Sequence, residues 1–221
     1  MQYVFPFLAA ALGGYLLGSI PFGLVLTRLA GVGDIRQIGS GNIGATNVLR
    51  TGRKDLAFAT LVLDAGKAGI ALLIARALWG DDAGLIAGGA AFIGHCFPVW
   101  LNFKGGKGVA TFFGVLLAGM WPIGLLSAAT WIAVAVIFRY SSLAALAAAA
   151  IAPIAALSAG FDWSEVIFTL VLAILIFIRH RANIQRLLTG TEPRIGAAKA
   201  ETPALADAPA VSPPPEDQPG T

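Results

Sequence analysis

Residues 109–138 read VATFFGVLLAGMWPIGLLSAATWIAVAVIF, an apolar run with one internal break at Gly119-Met120-Trp121-Pro122. Length alone does not decide whether it crosses a membrane once or twice. As two passes, the first has about twelve residues and reaches only roughly 18 Å at 1.5 Å per residue, short of the ~20 residues a membrane helix uses. Charge decides better. Two passes put four loops on one side: 31–55, 100–108, 139–142 and everything after Arg179. They carry Arg36, Arg50, Arg53, Lys54, Lys104, Lys107, Arg139, Arg179, Arg181 and Arg186, whereas loops 80–83 and 160–165 and the Gly119 turn carry no Lys or Arg. Cytoplasmic loops hold the excess of basic residues, so the N-terminus is expected outside and the C-terminus inside. A single span would push Arg179-His180-Arg181 outside, against that rule. Pro122 agrees, because proline suits the start of a helix, where its missing N–H costs nothing.

Working outward, apolar stretches recur at 3–27, 56–79, 84–99, 109–120, 122–138, 143–159 and 166–178. The expected fold is all-α and polytopic, with seven transmembrane helices. Composition agrees: 57% of the 221 residues are hydrophobic and 12% charged, and mean hydropathy is +0.78, whereas about a quarter of a soluble domain is charged. The net charge of +3 is then evidence about topology before it is evidence about nucleic acid. Cys96 is the only cysteine, so no internal disulfide exists. No Lys or Arg precedes the first apolar run, which therefore reads as a retained span, not a cleaved signal. Gly14 and Gly18, and Gly84 and Gly88, are four apart and permit close helix contact. Residues 1–190 read as one transmembrane domain. Residues 191–221, rich in Pro and Ala, read as a disordered cytoplasmic tail dispensable for chemistry.

Against this apolar background the loop Gly39-Ser40-Gly41-Asn42-Ile43-Gly44-Ala45-Thr46-Asn47-Val48-Leu49-Arg50 stands out. Its glycines allow close backbone approach, Ser40, Asn42, Thr46 and Asn47 offer side-chain donors, and Arg50 adds charge; together they suit an oxyanion, above all phosphate. The GxGxxG spacing lacks the strand and βαβ unit of a dinucleotide site, and Ala45 stands where a P-loop has lysine. A second cluster, Lys104-Gly105-Gly106-Lys107-Gly108, sits before the helix expected from Val109, another place for an anion. Arg139-Tyr140-Ser141-Ser142 and Arg179 to Arg186 follow. Within the latter, His180 and Asn183 are three apart and share a helical face, and His180 is placed as a donor or general base near neutral pH.

Inside the spans, Asp64 and Lys67 are placed to pair, an architectural role. His95 and Cys96 are adjacent on a helix and point about 100° apart, so Cys96 reads as a packed thiol, not a nucleophile. No paired carboxylates and no His/Cys cluster appear at metal-ligand or acid/base spacing on the basic side.

Taken in order, Gly18-Ser19-Ile20-Pro21-Phe22-Gly23, the loop 39–50, Asp64-Ala65-Gly66-Lys67, Gly94-His95-Cys96-Phe97-Pro98-Val99, residues 103–111 and Arg179-His180-Arg181-Ala182-Asn183-Ile184 resemble the bacterial membrane acyl-phosphate:glycerol-3-phosphate acyltransferases. The resemblance runs from about Gly18 to Glu192. It departs mildly at Ala68, where the family pattern usually has glycine. It implies a seven-helix enzyme of the bacterial inner membrane, with its active site facing the cytoplasm. The implied reaction moves a fatty acyl group from acyl phosphate to the 1-hydroxyl of glycerol 3-phosphate, giving lysophosphatidate and phosphate for phospholipid synthesis. The resemblance assigns the phosphate-binding floor to Ser40, Gly41, Asn42, Gly44, Thr46, Asn47, Lys104, Gly105, Gly106 and Gly108. It assigns Arg50, Lys107, Ser142, His180 and Asn183 to glycerol phosphate, with Ser141 able to serve in place of Ser142. It implies no metal or other cofactor, and substrate phosphate as acceptor of the hydroxyl proton. The implied partners are glycerol 3-phosphate, fatty acyl phosphate and membrane lipid, with the enzyme that makes acyl phosphate as a further candidate and no nucleic acid.

The chemistry agrees with the residues: an acyl phosphate carries its own leaving group, so the protein has chiefly to position phosphates and stabilise charge. The acyl chain can lie between helices toward lipid while the head group sits at the loops. A transporter or flippase for an anionic phosphate compound or lipid would instead need repeats and polar groups at mid-bilayer. A phosphoalcohol transferase would need several acids to hold a divalent metal.

Overall fold

The computed structural model describes residues 4–196. Among these are ten α-helices, two short 3₁₀ turns and no strand. Helix α1 (Phe5–Gly18) begins on a proline in its first turn and gives way at Ser19-Ile20-Pro21. Pro21 lacks an N–H and disfavours helical geometry at Ile20, so the chain restarts as α2 (Phe22–Leu29). A short α3 (Ala45–Leu49) leads to the long α4 (Lys54–Trp79), and α5 (Asp81–Cys96) follows after a single glycine, Gly80, at φ 92°.

The run at 109–138 divides where the break was expected, into α6 (Val109–Gly119) and α7 (Trp121–Phe138). Lys107, just before α6, reaches Asn183, and the backbone of Arg139, just after α7, accepts from Ile195 N–H at 2.7 Å. Both outer ends of the run therefore lie at one end of the bundle, and the run doubles back as the charges required. Helix α8 (Ser141–Ser158) contains Pro153. Helix α9 (Trp163–Arg179) opens on a reciprocal cap between Asp162 and Glu165, and α10 (Arg181–Leu188) leaves it at 62°.

Small residues set the packing. A Cβ on Gly14 or Gly18 of α1 would overlap the main chain of Ala87 or Ala91 on α5, so these helices touch backbone to backbone. Gly84 and Gly88 on α5 lie against Leu72 of α4. Phe92, Phe112, Leu116 and Leu172 fill the centre. The perimeter is apolar: Phe58, Val136 and Ile137 are 69%, 72% and 70% exposed. In water such a surface would be an aggregation site; here it matches hydrocarbon.

By length and hydropathy, five stretches among the described residues qualify as membrane spans: Phe5–Leu29, Lys54–Trp79, Asp81–Leu101, Trp121–Phe138 and Ser141–Ser158. The bent pair α9–α10 brings the number to six, and α6 is an apolar helix of 11 residues, shorter than the rest. All seven expected segments are thus helical. Of the stretch read as a tail, 191–196 folds back onto the bundle end, and 197–221 lies outside the described residues.

Candidate active site

Four loops meet at the end of the bundle where α5 and α9 finish and α6 and α8 begin. The first is shaped by Asn47, 2% exposed. Its amide nitrogen donates to the carbonyls of Ile35 and Asn42, both at 2.7 Å, and its oxygen accepts from Ser40 N–H at 3.2 Å. Asn47, expected to offer a donor to an anion, instead uses its amide to close the loop. Ile35, Ile43 and Val48 pack beneath with Leu24 of α2. Gly39 and Gly41 adopt positive φ (57° and 67°), whereas Gly44 is extended and precedes α3. A Cβ on Gly39 would come within 2.5 Å of Arg50 Nη1, so glycine there lets the Arg50 guanidinium lie across the loop. Asn42 Oδ1 accepts from Ile43 N–H at 2.9 Å, and Thr46 meets Ser141 at 3.4 Å, joining this loop to the start of α8.

The lysine loop is held from below and from the side. Gly105 N–H and Gly106 N–H donate to the carbonyls of Cys96 and His95 at 3.2 and 3.0 Å. They satisfy the free carbonyls at the end of α5 and so are not free for an anion, contrary to expectation. Their own carbonyls accept from Arg179, at 2.9 and 3.0 Å, and Arg179 also lies over the Phe97 ring. Gly108, at φ 83°, presses against Phe92 and starts α6. The backbone N–H groups of the first turn of α6 remain without helical acceptors.

Beneath that loop lies a buried polar cluster whose geometry was only half legible in sequence. Lys67 Nζ donates to Asp64 Oδ1 and to the Ile20 carbonyl, both at 2.7 Å, and to His95 Nδ1 at 3.1 Å. With Nδ1 accepting, the His95 proton sits on Nε2, the atom a Gly106 Cβ would strike. The Asp64–Lys67 pair appears as expected, extended by His95; Cys96 is fully buried and packs in the core.

The fourth element completes the site with residues the composition did not single out. Glu192, 9% exposed, accepts from Ser142 Oγ and Asn183 Nδ2, both at 2.6 Å on one oxygen, and from Arg186 Nε at 2.7 Å on the other. Burial raises the Glu192 pKa, but these hydrogen bonds outweigh it and hold the carboxyl below its ordinary value. Ser142 is thus the serine turned into the cluster, and Ser141 the one facing Thr46. Lys107 Nζ donates to Asn183 Oδ1 at 2.5 Å. Burial pushes its pKa down to about 8; Glu192 opposes the shift, and Arg186, Arg50 and Arg179 reinforce it. His180 is 2% exposed, and its Nδ1 lies 2.8 Å from the Ile176 carbonyl. Burial first, and Lys107 second, push its pKa down to about 4. Because the Ile176 carbonyl can only accept, Nδ1 carries the proton, and in the uncharged ring Nε2 is an acceptor, which suits the general-base half of the expected role and not the donor half. Lys104 is exposed at the loop's outer edge.

Between these loops opens a cleft of about 350 Å³ lined by Gly39, Ser40, Arg50, Arg186 and Pro193. Two guanidiniums on one cleft, with Lys107 nearby, have the charge and the fork geometry that suit an oxyanion. Among the described residues no three His, Cys, Asp or Glu side chains gather to hold a metal.

Fold and site together define an integral membrane protein with a cationic cleft at one end of a helical bundle. The family profile described as glycerol-3-phosphate acyltransferase matches residues 8–190. The chain belongs to that family. It is 68% identical over 197 residues to the glycerol-3-phosphate acyltransferase of Maricaulis maris (strain MCS10), covering 89% of this chain and 91% of that one. It is 64% identical to that of Rhodospirillum rubrum, covering 87% and 93%. A crystal structure of PlsY (YgiH), an integral membrane glycerol 3-phosphate acyltransferase, in its glycerol 3-phosphate form superposes with a TM-score of 0.82. Identity is 42%, over 86% of this chain and 96% of that one. The lysophosphatidic acid form superposes with a TM-score of 0.81 at 41% identity.

Proposed function

We propose that this enzyme takes its acyl group from a fatty acyl phosphate and places it on the 1-hydroxyl of glycerol 3-phosphate, releasing lysophosphatidate and inorganic phosphate. The observation that carries this reading is the convergence of Arg50, Lys107, Ser142, His180 and Asn183 at one bundle end, beside a cleft lined by two arginines. Glycerol 3-phosphate enters from the cytoplasm, and its phosphate is held by Arg50 and Lys107. The acyl phosphate approaches from the bilayer with its chain among the apolar helices. The hydroxyl oxygen attacks the acyl carbonyl carbon, the carbon–oxygen bond to phosphate breaks, and the hydroxyl proton passes to a substrate phosphate oxygen. The cations stabilise the charge that builds up on the carbonyl and departing phosphate oxygens. His180, uncharged, is able to accept a hydrogen bond from the attacking hydroxyl through Nε2.

The arrangement proposed in the bacterial inner membrane is seven crossings, N-terminus outside and site facing the cytoplasm. The charge distribution supports it, with Arg76, on the opposite end, paired to Asp81 at 2.7 Å. Purified protein with EDTA, radiolabelled glycerol 3-phosphate and palmitoyl phosphate is expected to form lysophosphatidate. Product made only from an acyl thioester, or only when a divalent metal is restored, refutes the proposal. Arg50→Ala and Lys107→Ala are each expected to lose nearly all turnover while remaining folded.

A further inference from the structure

We infer that Arg186, on the face of α10, is a second arginine for the phosphate of glycerol 3-phosphate, held in place by Glu192. Arg186 lines the same cleft as Arg50 and Ser40. Its Nε is fixed by Glu192 Oε2 at 2.7 Å, which leaves its two terminal nitrogens without a partner among the described residues. Arg50 likewise has no carboxylate partner there. One carboxylate therefore stands against two guanidiniums, and the cleft keeps a surplus of positive charge. Glu192 is itself anchored through its other oxygen by buried Ser142 and Asn183. The carboxylate thus sets the direction of the Arg186 fork before any ligand arrives, and a fork fixed in advance loses little freedom on binding.

The cleft's position selects the substrate. Ser40, Arg50 and Pro193 are exposed at the bundle end, and Arg186 is 37% exposed. Apart from Pro193 no lining residue is apolar. A phosphate tied to a fatty chain must keep that chain in hydrocarbon, whereas glycerol 3-phosphate is free in water and small enough for about 350 Å³. The dianion therefore sits between Arg50 and Arg186, with Lys107 beside them as the third cation and its glycerol end directed inward toward Asn183.

This inference rests on the acyltransferase reading, and its test separates the two. Equilibrium binding of glycerol 3-phosphate, without acyl donor, is measured on the full chain in lipid, together with steady-state KM for each substrate. Arg186→Gln should weaken glycerol 3-phosphate binding and raise its KM at least tenfold, with the acyl phosphate KM changed less than twofold. Arg186→Lys should recover part of the loss. Because Arg186→Gln also strips Glu192 of its cation, the double variant Arg186→Gln, Glu192→Gln is compared with Glu192→Gln alone, which keeps the arginine, and should show a further selective loss of glycerol 3-phosphate binding. Arg194→Gln, outside the cleft, should bind as the parent does. Binding in the double variant no weaker than in Glu192→Gln, or a rise confined to the acyl phosphate KM, overturns the inference while leaving the acyltransferase reading intact. Parent protein that neither binds glycerol 3-phosphate nor makes lysophosphatidate removes the reading on which it rests.

Discussion

If Lys107 must be an ammonium to grip phosphate, raising the pH should disarm the free enzyme well before ordinary lysines titrate. Its pKa, pushed down to about 8 by burial and three neighbouring arginines, makes it about nine-tenths charged at pH 7 and about one-tenth at pH 9, whereas an unperturbed lysine near 10.4 stays almost fully charged at both. kcat/KM for glycerol 3-phosphate should therefore fall about tenfold between those pH values, since that parameter reports groups in the free enzyme. kcat should fall less, because bound phosphate draws the lysine back to its charged form. The assay is initial-rate acyl transfer from pH 7 to 10, corrected for spontaneous hydrolysis of the acyl phosphate. Unfolding driven by Lys107 does not mimic this result. Its folded pKa lies below the unfolded value, so between about pH 8 and 10.4 the unfolded chain binds more protons, and this group favours the folded state as pH rises. A kcat/KM flat to pH 10, or a fall of the same size in Lys107→Arg, whose guanidinium stays charged throughout, refutes the reasoning.

Neutralising Glu192 should move that break: Glu192→Gln removes the one charge that favours protonated Lys107, so the fall in kcat/KM should begin below pH 8, and an unmoved break would separate the two residues. Asp64→Asn leaves Lys67 inside the bundle without its counter-charge and should cost about 3–5 kcal/mol in denaturant unfolding, with Asp64→Leu, Lys67→Met recovering most of it. Equal stability of Asp64→Asn and parent would show that the pair is not structural. Gly18→Val forces side-chain atoms into the Ala91 main chain and should destabilise by about 1–3 kcal/mol or more. Gly13→Ala, with nothing within 4 Å of the added methyl, should be neutral or stabilising by up to about 1 kcal/mol in thermal unfolding; similar losses in both would deny that α1 packs through its glycines.

Hydropathy and charge were enough to locate the helices and to show that 109–138 turns back, because both depend on the solvent each residue must face. The cationic end was legible for the same reason. What each polar group does there was not. Gly105, Gly106 and Asn47 have the chemistry of anion ligands, yet their donors close helix α5 and the loop at 39–50, a choice made by partners distant in sequence. His95 likewise joins Lys67 across 28 residues. Glu192 carried a faint signal, as a lone acid following the basic stretch Arg179 to Arg186, but in composition it merges with the acidic, proline-rich segment beyond it.

The return of residues 191–196 to the bundle has a consequence for biosynthesis. Glu192 and Pro193 follow α10, the last helix among the described residues, so every described span is synthesised before the segment that ties together Ser142, Asn183 and Arg186. The described bundle can insert and assemble while the Glu192 cluster is still incomplete, and that cluster closes only as translation passes the end of α10. A chain interrupted at Gly190 would hold every described helix and still lack the carboxylate that clasps α8 to α10.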